Sequence, residues 1–480
     1  MRVMMVMRVM RVMRVMREGL ATTAAAMAVT ALVTATGACR SEGSSPEYVP
    51  LVAELPATPN RDLDLLFVID DSTGLIEAQQ RLAASFPIVL ERLAAVPGGL
   101  PNLHIGVITT DMGTKASQSS VPGPPTGQLG QGGCSGTGKA GNLQVNQAGT
   151  DLSGTFVRDV ENPLGGRMVN YTGSLPTVFG KLISAGGGGC GFEQPLAAMR
   201  AGLEDNPANT GFLREEAMLG VVFLADEDDC SAASTRLFDA NAVGLGPLQS
   251  FRCTQFGVTC SGGGQTTDAM AEAGAKSGCT ASESGEIIDG VLPYRDFLLG
   301  LKQEPRRVIV GGIVGPAEPV EVELRAAPGG GAPAPALAHA CSFTGPTGLQ
   351  VADPAPRLHA LVSHFTNRGE LATICGADYT DSVTRIAELL RRSMGSACVE
   401  ASLADMSTAQ RDCVVEDVAP TRVDEIAPCD EAVGARPCWR LEADPKACRF
   451  SPAPQLALRI DRDAPPDPAV ITRMHCRDLR

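Results

Sequence analysis

Two acidic clusters carry the residue types that do chemistry. Asp70-Asp71-Ser72-Thr73-Gly74 sets two carboxylates and two hydroxyls within five residues. Asp226-Glu227-Asp228-Asp229 is a run of four acids. Carboxylates this close repel one another unless a cation or a helix dipole offsets the charge. Hard oxygen donors of this kind suit Mg²⁺, Mn²⁺ or Ca²⁺. The simpler alternative is that the carboxylates only cap loops and helix ends.

Both clusters follow apolar runs. Residues 63–69 have six apolar residues in seven, with Asp64 the exception. Residues 219–225 are apolar apart from Gly220. Short apolar runs ended by polar residues or Gly read as strands buried on both faces. Ile76, Leu82, Phe86, Leu90, Leu93 and Val96 then recur at helical spacings, and Pro97-Gly98-Gly99 ends the pattern. Asp70 and Ser72 therefore fall at the carboxyl end of a strand, before a helix, where open α/β sheets place ligand sites.

Residues 70–74 resemble the Asp-x-Ser-x-Ser opening of the metal-ion-dependent adhesion site in von Willebrand factor A-like (VWA) domains. Asp70 matches the Asp and Ser72 the first Ser, and Gly74 replaces the second Ser. Asp226 matches the Asp that ends a later strand. The family also takes a Thr from a Gly-rich loop before a helix. The corresponding loop, 186–193, has no Thr, and Glu193 stands at its end. A carboxylate there replaces that ligand or simply favours the helix N-terminus. The resemblance covers 61–397. It implies a doubly wound, mostly parallel α/β sheet and a degenerate metal site of Asp70, Ser72 and Asp226, holding Mg²⁺ or alternatively Mn²⁺ or Ca²⁺. It implies a non-enzymatic binding or adhesion module with a protein or peptide ligand. Gly74→Ser is expected to restore an oxygen ligand. A metal-free envelope scaffold is the alternative.

The remaining motifs do not favour an enzyme. Residues 133–140 approach a P-loop, but Ala140 replaces the Ser or Thr that holds Mg²⁺, and no buried strand precedes it. No nucleotide is expected. There is no Gly-x-Ser-x-Gly elbow, and His359 and His364 lack zincin spacing. An exported hydrolase is the weakest of the three readings. His104 alternates with apolar neighbours and reads as structural.

Residues 1–38 read as an export signal, with a start at Met13 or Met16 as possible alternatives to Met1. A basic start and a modest apolar core lead to Gly37-Ala38-Cys39, which resembles a lipobox. Lipidation of Cys39 would anchor the chain to the envelope as an outer-membrane lipoprotein; cleavage without an anchor is the alternative. Of 15 cysteines, 14 remain for disulfides if Cys39 carries lipid. Losing residues 1–38 moves the formal charge from −14 to −18. So acidic a body argues against nucleic acid or anionic lipid as partner.

Residues 39–60 read as a flexible tether. Two insertions are expected, near 112–153 and 227–290, and Cys253 and Cys260 are close enough to close a short loop. The Ala/Pro/Gly run 326–336 reads as a loop. Residues 398–480 hold six cysteines and read as a small β-rich, disulfide-held C-terminal extension.

Overall fold

The structure, a computed structural model, describes residues 51–56, 60–327, 331–399, 413–432, 434–451, 453–467 and 469–476. The export signal and Cys39 lie outside the described residues.

The chain opens with β1 (Leu51–Pro56), β2 (Asp62–Ile69), α1 (Ile76–Leu93) and β3 (Asn102–Thr109). After a long loop come β4 (Val157–Glu161), β5 (Arg167–Val169), α2 (Leu175–Ile183), α3 (Pro195–Leu203) and β6 (Met218–Ala225). Next are α4 (Phe251–Gly257), β7 (Val258–Gly262), α5 (Thr267–Met270), β8 (Gly274–Ala281), α6 (Leu292–Gly300) and β9 (Val308–Val314). Two hairpins follow, β10 (Val320–Ala327) with β11 (Gly331–Leu337), and β12 (Cys341–Gly345) with β13 (Gly348–Ala352). α7 (Pro356–Ser363), β14 (Gly369–Thr373) and α8 (Thr380–Ser393) complete the larger part. The C-terminal strands are β15 (Cys413–Ala419), β16 (Arg422–Pro428), β17 (Cys438–Ala443), β18 (Leu456–Asp461) and β19 (Ile471–Cys476).

The result is a mixed α/β fold with several sheets. The largest runs β14-β9-β6-β2-β3-β4-β5. Its first five strands pair in parallel, and β4 and β5 add an antiparallel edge. β2 and β6 are central because their side chains are apolar on both faces. One face packs Phe67 and Ile69 against Phe86 of α1 and Phe179 of α2, whose rings stack 3.6 Å apart. The other packs Leu66, Val68 and Phe223 among Leu196, Leu298 and Leu358 of α3, α6 and α7.

Asp64, the polar exception in β2, is buried. Arg214 answers it, through Nε at 2.8 Å and its backbone N–H at 2.7 Å. His104 lies alongside, its Nδ1 2.8 Å from the Phe212 carbonyl. Burial pushes its pKa down to about 4. Its neutral form is therefore favoured in the folded state. The stability this contributes is complete above the unfolded value near 6.5 and is lost as pH falls towards 4. Urea unfolding at pH 7 and pH 5 should show a smaller loss for His104→Gln than for wild type.

Several expectations are corrected. The 326–336 run is not simply a loop, since Gly331–Leu337 forms β11. It is an edge strand beside β10, in a sheet ordered β11-β10-β8-β7. Pro333 and Pro335 are tolerated there because alternate N–H groups on an edge face away from the ladder. Much of the second insertion is thus part of this separate sheet. Cys253 does not pair with Cys260; the disulfides are Cys230–Cys253 and Cys260–Cys279. Within the stretch read as a tether, Leu51–Pro56 pairs antiparallel with β19. It forms one edge of the C-terminal sheet, β1-β19-β15-β16-β17-β18, around Trp439.

All 14 cysteines after Cys39 pair, three of the bonds lying within 398–480. Seven disulfides mark an exported chain. Among the described residues, no helix is long and apolar enough to cross a membrane.

Candidate metal centre

Asp70 follows β2 directly and continues its pairing, its N–H reaching the Leu224 carbonyl of β6 at 2.9 Å. Its Oδ1 accepts the Ser72 N–H at 2.7 Å. Gln79 of α1 locks the turn from behind. Its Nε2 donates to the Asp70 carbonyl at 3.0 Å and the Gly186 carbonyl at 2.8 Å, which joins the first loop to the Gly-rich loop. Gly189 lies so close that a Cβ there would meet Asp71 Oδ1 at 2.3 Å.

Asp226 stands one residue beyond β6, the strand next to β2. The Asp70 N–H bond to the Leu224 carbonyl sets Asp226 beside the end of β2, and the Asp70 carboxyl is one cause of the upward shift of Asp226. The expected trio of Asp70, Ser72 and Asp226 is therefore brought together. Glu193 joins it. Its carbonyl accepts the Cys230 N–H at 2.8 Å, and the next residue, Gln194, donates its N–H to the Thr110 carbonyl at 3.0 Å. This clamp buries the Glu193 side chain, whose carboxyl is repelled by Glu227, Asp70 and Asp226.

Four carboxyls thus repel one another at this end of the sheet. Burial and then mutual repulsion push Asp226 and Glu193 well above the usual carboxylate range. Burial first raises Asp70 to about 6 and Glu227 to about 8. Asp70 is fully buried, and its Oδ2 has no hydrogen-bond donor. No three of the four bring ligand oxygens within 4.8 Å of one another. An ion would therefore sit on two of them and reach the others through water or a side-chain shift. The donor set is all hard oxygen and includes a buried orphan atom. It fits a hard divalent cation.

The other acids have different work. Asp71 pairs with Lys139, the lysine of the apparent P-loop. That loop wraps Asp111, whose carbonyl accepts the Lys139 N–H at 2.8 Å and whose carboxylate accepts the Gly113 N–H at 2.9 Å. Asp228 caps α7, accepting the N–H groups of Arg357 at 2.9 Å and Leu358 at 3.1 Å. Asp229 caps α3 at Leu196 N–H, 3.0 Å, and pairs with the buried Arg357 at 2.8 Å. The run of four acids is divided, two towards the cluster and two into helix ends. Glu227 and Arg357 carried no signal in the sequence beyond the acidic run and the start of a helix.

A cleft of about 340 Å³ opens beside Asp226, walled by Thr73, Gly74, Arg81, Phe343 and Gln350. The β12–β13 hairpin forms its far side and is pinned by Cys341–Cys375. A larger cleft of about 750 Å³ is lined by Arg61, Arg307 and Arg368 near the amino ends of the parallel strands. It lies away from the cluster, and its acids Glu216 and Glu304 are paired with Arg307. The acidic cluster therefore adjoins the smaller cleft.

Gly74 has φ +115°, with open space where a Cβ would be. The expectation that Gly74→Ser improves the site is revised, because an L side chain is strained at that φ. Gly74→Ser should lose about 1 kcal/mol of stability in EDTA, read as a lower urea midpoint.

No family model and no curated protein matches the chain. Solved structures similar to it include the pilus adhesin SpaC of Lactobacillus rhamnosus GG in its open conformation. That likeness has 9% identity and a TM-score of 0.30, over 88% of this chain and 39% of that one. A von Willebrand factor type A from Catenulispora acidiphila gives 8% and 0.25, over 89% and 62%. The pilus adhesin RrgA of Streptococcus pneumoniae gives 8% and 0.27, over 88% and 57%. The chain spans less than two thirds of each. Likenesses this loose carry no argument about the site.

Proposed function

We propose that this chain is an exported, non-enzymatic binding module of the VWA-like type. It takes a protein or peptide ligand at the carboxyl end of the parallel strands, through a divalent cation held by Asp70, Ser72 and Asp226. The observation that carries this reading is Asp70. A fully buried carboxylate with an orphan Oδ2, one residue beyond a strand whose neighbour also ends in an acid, is unfavourable without a cation. A bound divalent ion would offer a ligand oxygen a positive point of attachment. The chain's own residues do the positioning: Asp70 orients Ser72, Gln79 fixes both loops, and the 340 Å³ cleft admits the ligand next to Asp226. Lipidation at Cys39 would hold the module at the outer membrane.

The test is attachment of beads coated with the oxidised chain to a panel of cell-surface and matrix proteins. Attachment should require a divalent ion, fall in EDTA and be lost in Asp226→Asn. Attachment indifferent to both, or none to any member of the panel, would overturn the reading.

A further inference from the structure

The larger cleft, of about 750 Å³, has no part in the cation site. It opens where the amino ends of β6, β9 and β14 face the edge strand β1. A cavity of that size suits a small organic ligand. Its charges do not balance locally. Every acid that lines it is answered by an arginine. Glu54 meets Arg473 at 3.2 Å, Asp62 meets Arg214 at 3.2 Å and Glu370 meets Arg385 at 3.1 Å. Glu216 pairs with Arg307, and Glu304 is shared by Arg307 at 3.4 Å and Arg306 at 3.8 Å. Arg368 and Arg392 also line the cleft, and among the described residues neither forms an ion pair. Arg368 is half-buried, and its Nη1 donates to the Pro305 carbonyl at 2.6 Å. Arg392, in the last turn of α8, is exposed, and its side chain has no hydrogen-bond partner among the described residues. In a chain with a net charge of −14, two guanidiniums without an acid stand out.

The backbone here is also unusual. Thr366 has φ +45°, a left-handed conformation that a β-branched residue rarely adopts. Strain of this kind persists where the surrounding structure imposes it, and it concentrates at ligand sites. It shapes the turn Thr366–Arg368, all three residues of which line the cleft. Met218, Leu389, Val470 and Ile471 supply an apolar floor beside the two arginines.

We propose that this cleft binds a small amphiphilic anion, with its carboxylate or phosphate head on Arg368 and Arg392 and its apolar body on the floor between β1 and the parallel sheet. A guanidinium fork matches both heads in a two-point, charge-assisted contact. Burial holds the Arg368 guanidinium below its ordinary pKa, and an anion beside it would offset that penalty. The local arrangement, not the acidic total, decides what enters: the lining acids are already neutralised by their own partners. The site is separate from the cation reading and does not depend on it.

The experiment is calorimetric titration of the full, oxidised chain in EDTA with octanoate and with octyl phosphate. Octanol and inorganic phosphate are the controls for body and head alone. At least one of the two anions should bind, the tighter one identifying the head, and each control should bind at least about tenfold more weakly. Arg368→Gln should lose at least about tenfold in affinity for that anion. Arg392→Gln should weaken it as well, while melting at the wild-type temperature, because its side chain holds nothing else in the fold. That second variant separates binding from folding. No binding of either anion, a control that binds as tightly as they do, or wild-type affinity in either variant would overturn the inference. EDTA keeps the outcome independent of any divalent ion, so failure here leaves the cation site standing.

Discussion

Arg357→Ala is expected to cost about 3–5 kcal/mol, as breaking a buried ion pair does. Arg357 and Asp229 are both fully buried and lie 2.8 Å apart. The guanidinium also donates to the carbonyls of Asp229, Gly257 and Asp289, at 2.9, 2.8 and 2.6 Å. It therefore ties the end of the acidic run to α4, to the segment before α6 and to the start of α7. Removing it leaves the Asp229 carboxylate uncompensated in the interior, still capping Leu196. Arg357→Lys should recover only part, because a single ammonium cannot reproduce the guanidinium fork. Arg357→Leu combined with Asp229→Asn should be less damaging than Arg357→Leu alone, since no buried charge is then left unpaired. Urea midpoints report all four. A loss below about 1 kcal/mol in Arg357→Ala would show that water enters to solvate Asp229.

The second large effect is stabilisation by a divalent ion. An ion that binds only the folded chain adds about 4 kcal/mol at a thousandfold excess over its Kd. The melting temperature of the metal-stripped chain should rise on adding Ca²⁺. Asp70→Asn and Asp226→Asn should each remove that rise. Neither should melt earlier than wild type in EDTA, because each relieves repulsion within the buried cluster. The sign in EDTA matters: an acid that served only as a cap would be destabilised by replacement in both conditions. A melting temperature unmoved by millimolar Ca²⁺, Mg²⁺ or Mn²⁺ would favour the metal-free scaffold.

The parallel part of the fold was legible because its strands are locally distinctive. Residues 63–69 and 219–225 are apolar on both faces, and the residues after them are not, so Asp70 and Asp226 could be placed at strand ends. The helix after residue 74 followed from the spacing of Ile76, Leu82, Phe86, Leu90 and Leu93. What the sequence hid depends on long-range pairing. β11 is a strand only because β10 offers it an edge, and nothing in its Gly, Ala and Pro residues announces that. β1 was taken for tether because its partner, β19, lies more than 400 residues away in the chain. Cys253 chose Cys230 over the nearer Cys260 because α4 brings it back to the acidic loop. Glu193 was legible either as a stand-in for the missing Thr or as a helix-end carboxylate, and the Cys230 and Thr110 contacts that bury it were not. Asp228 and Asp229 were legible only as members of the acidic run, and the positions of α3 and α7 show that they are caps.

The most direct measurement is anomalous diffraction from a crystal of the oxidised chain soaked in Mn²⁺. One strong peak is expected among Asp70, Ser72 and Asp226, with ligand oxygens about 2.0–2.6 Å away. No peak there would contradict the claim that this cluster is built to hold a cation.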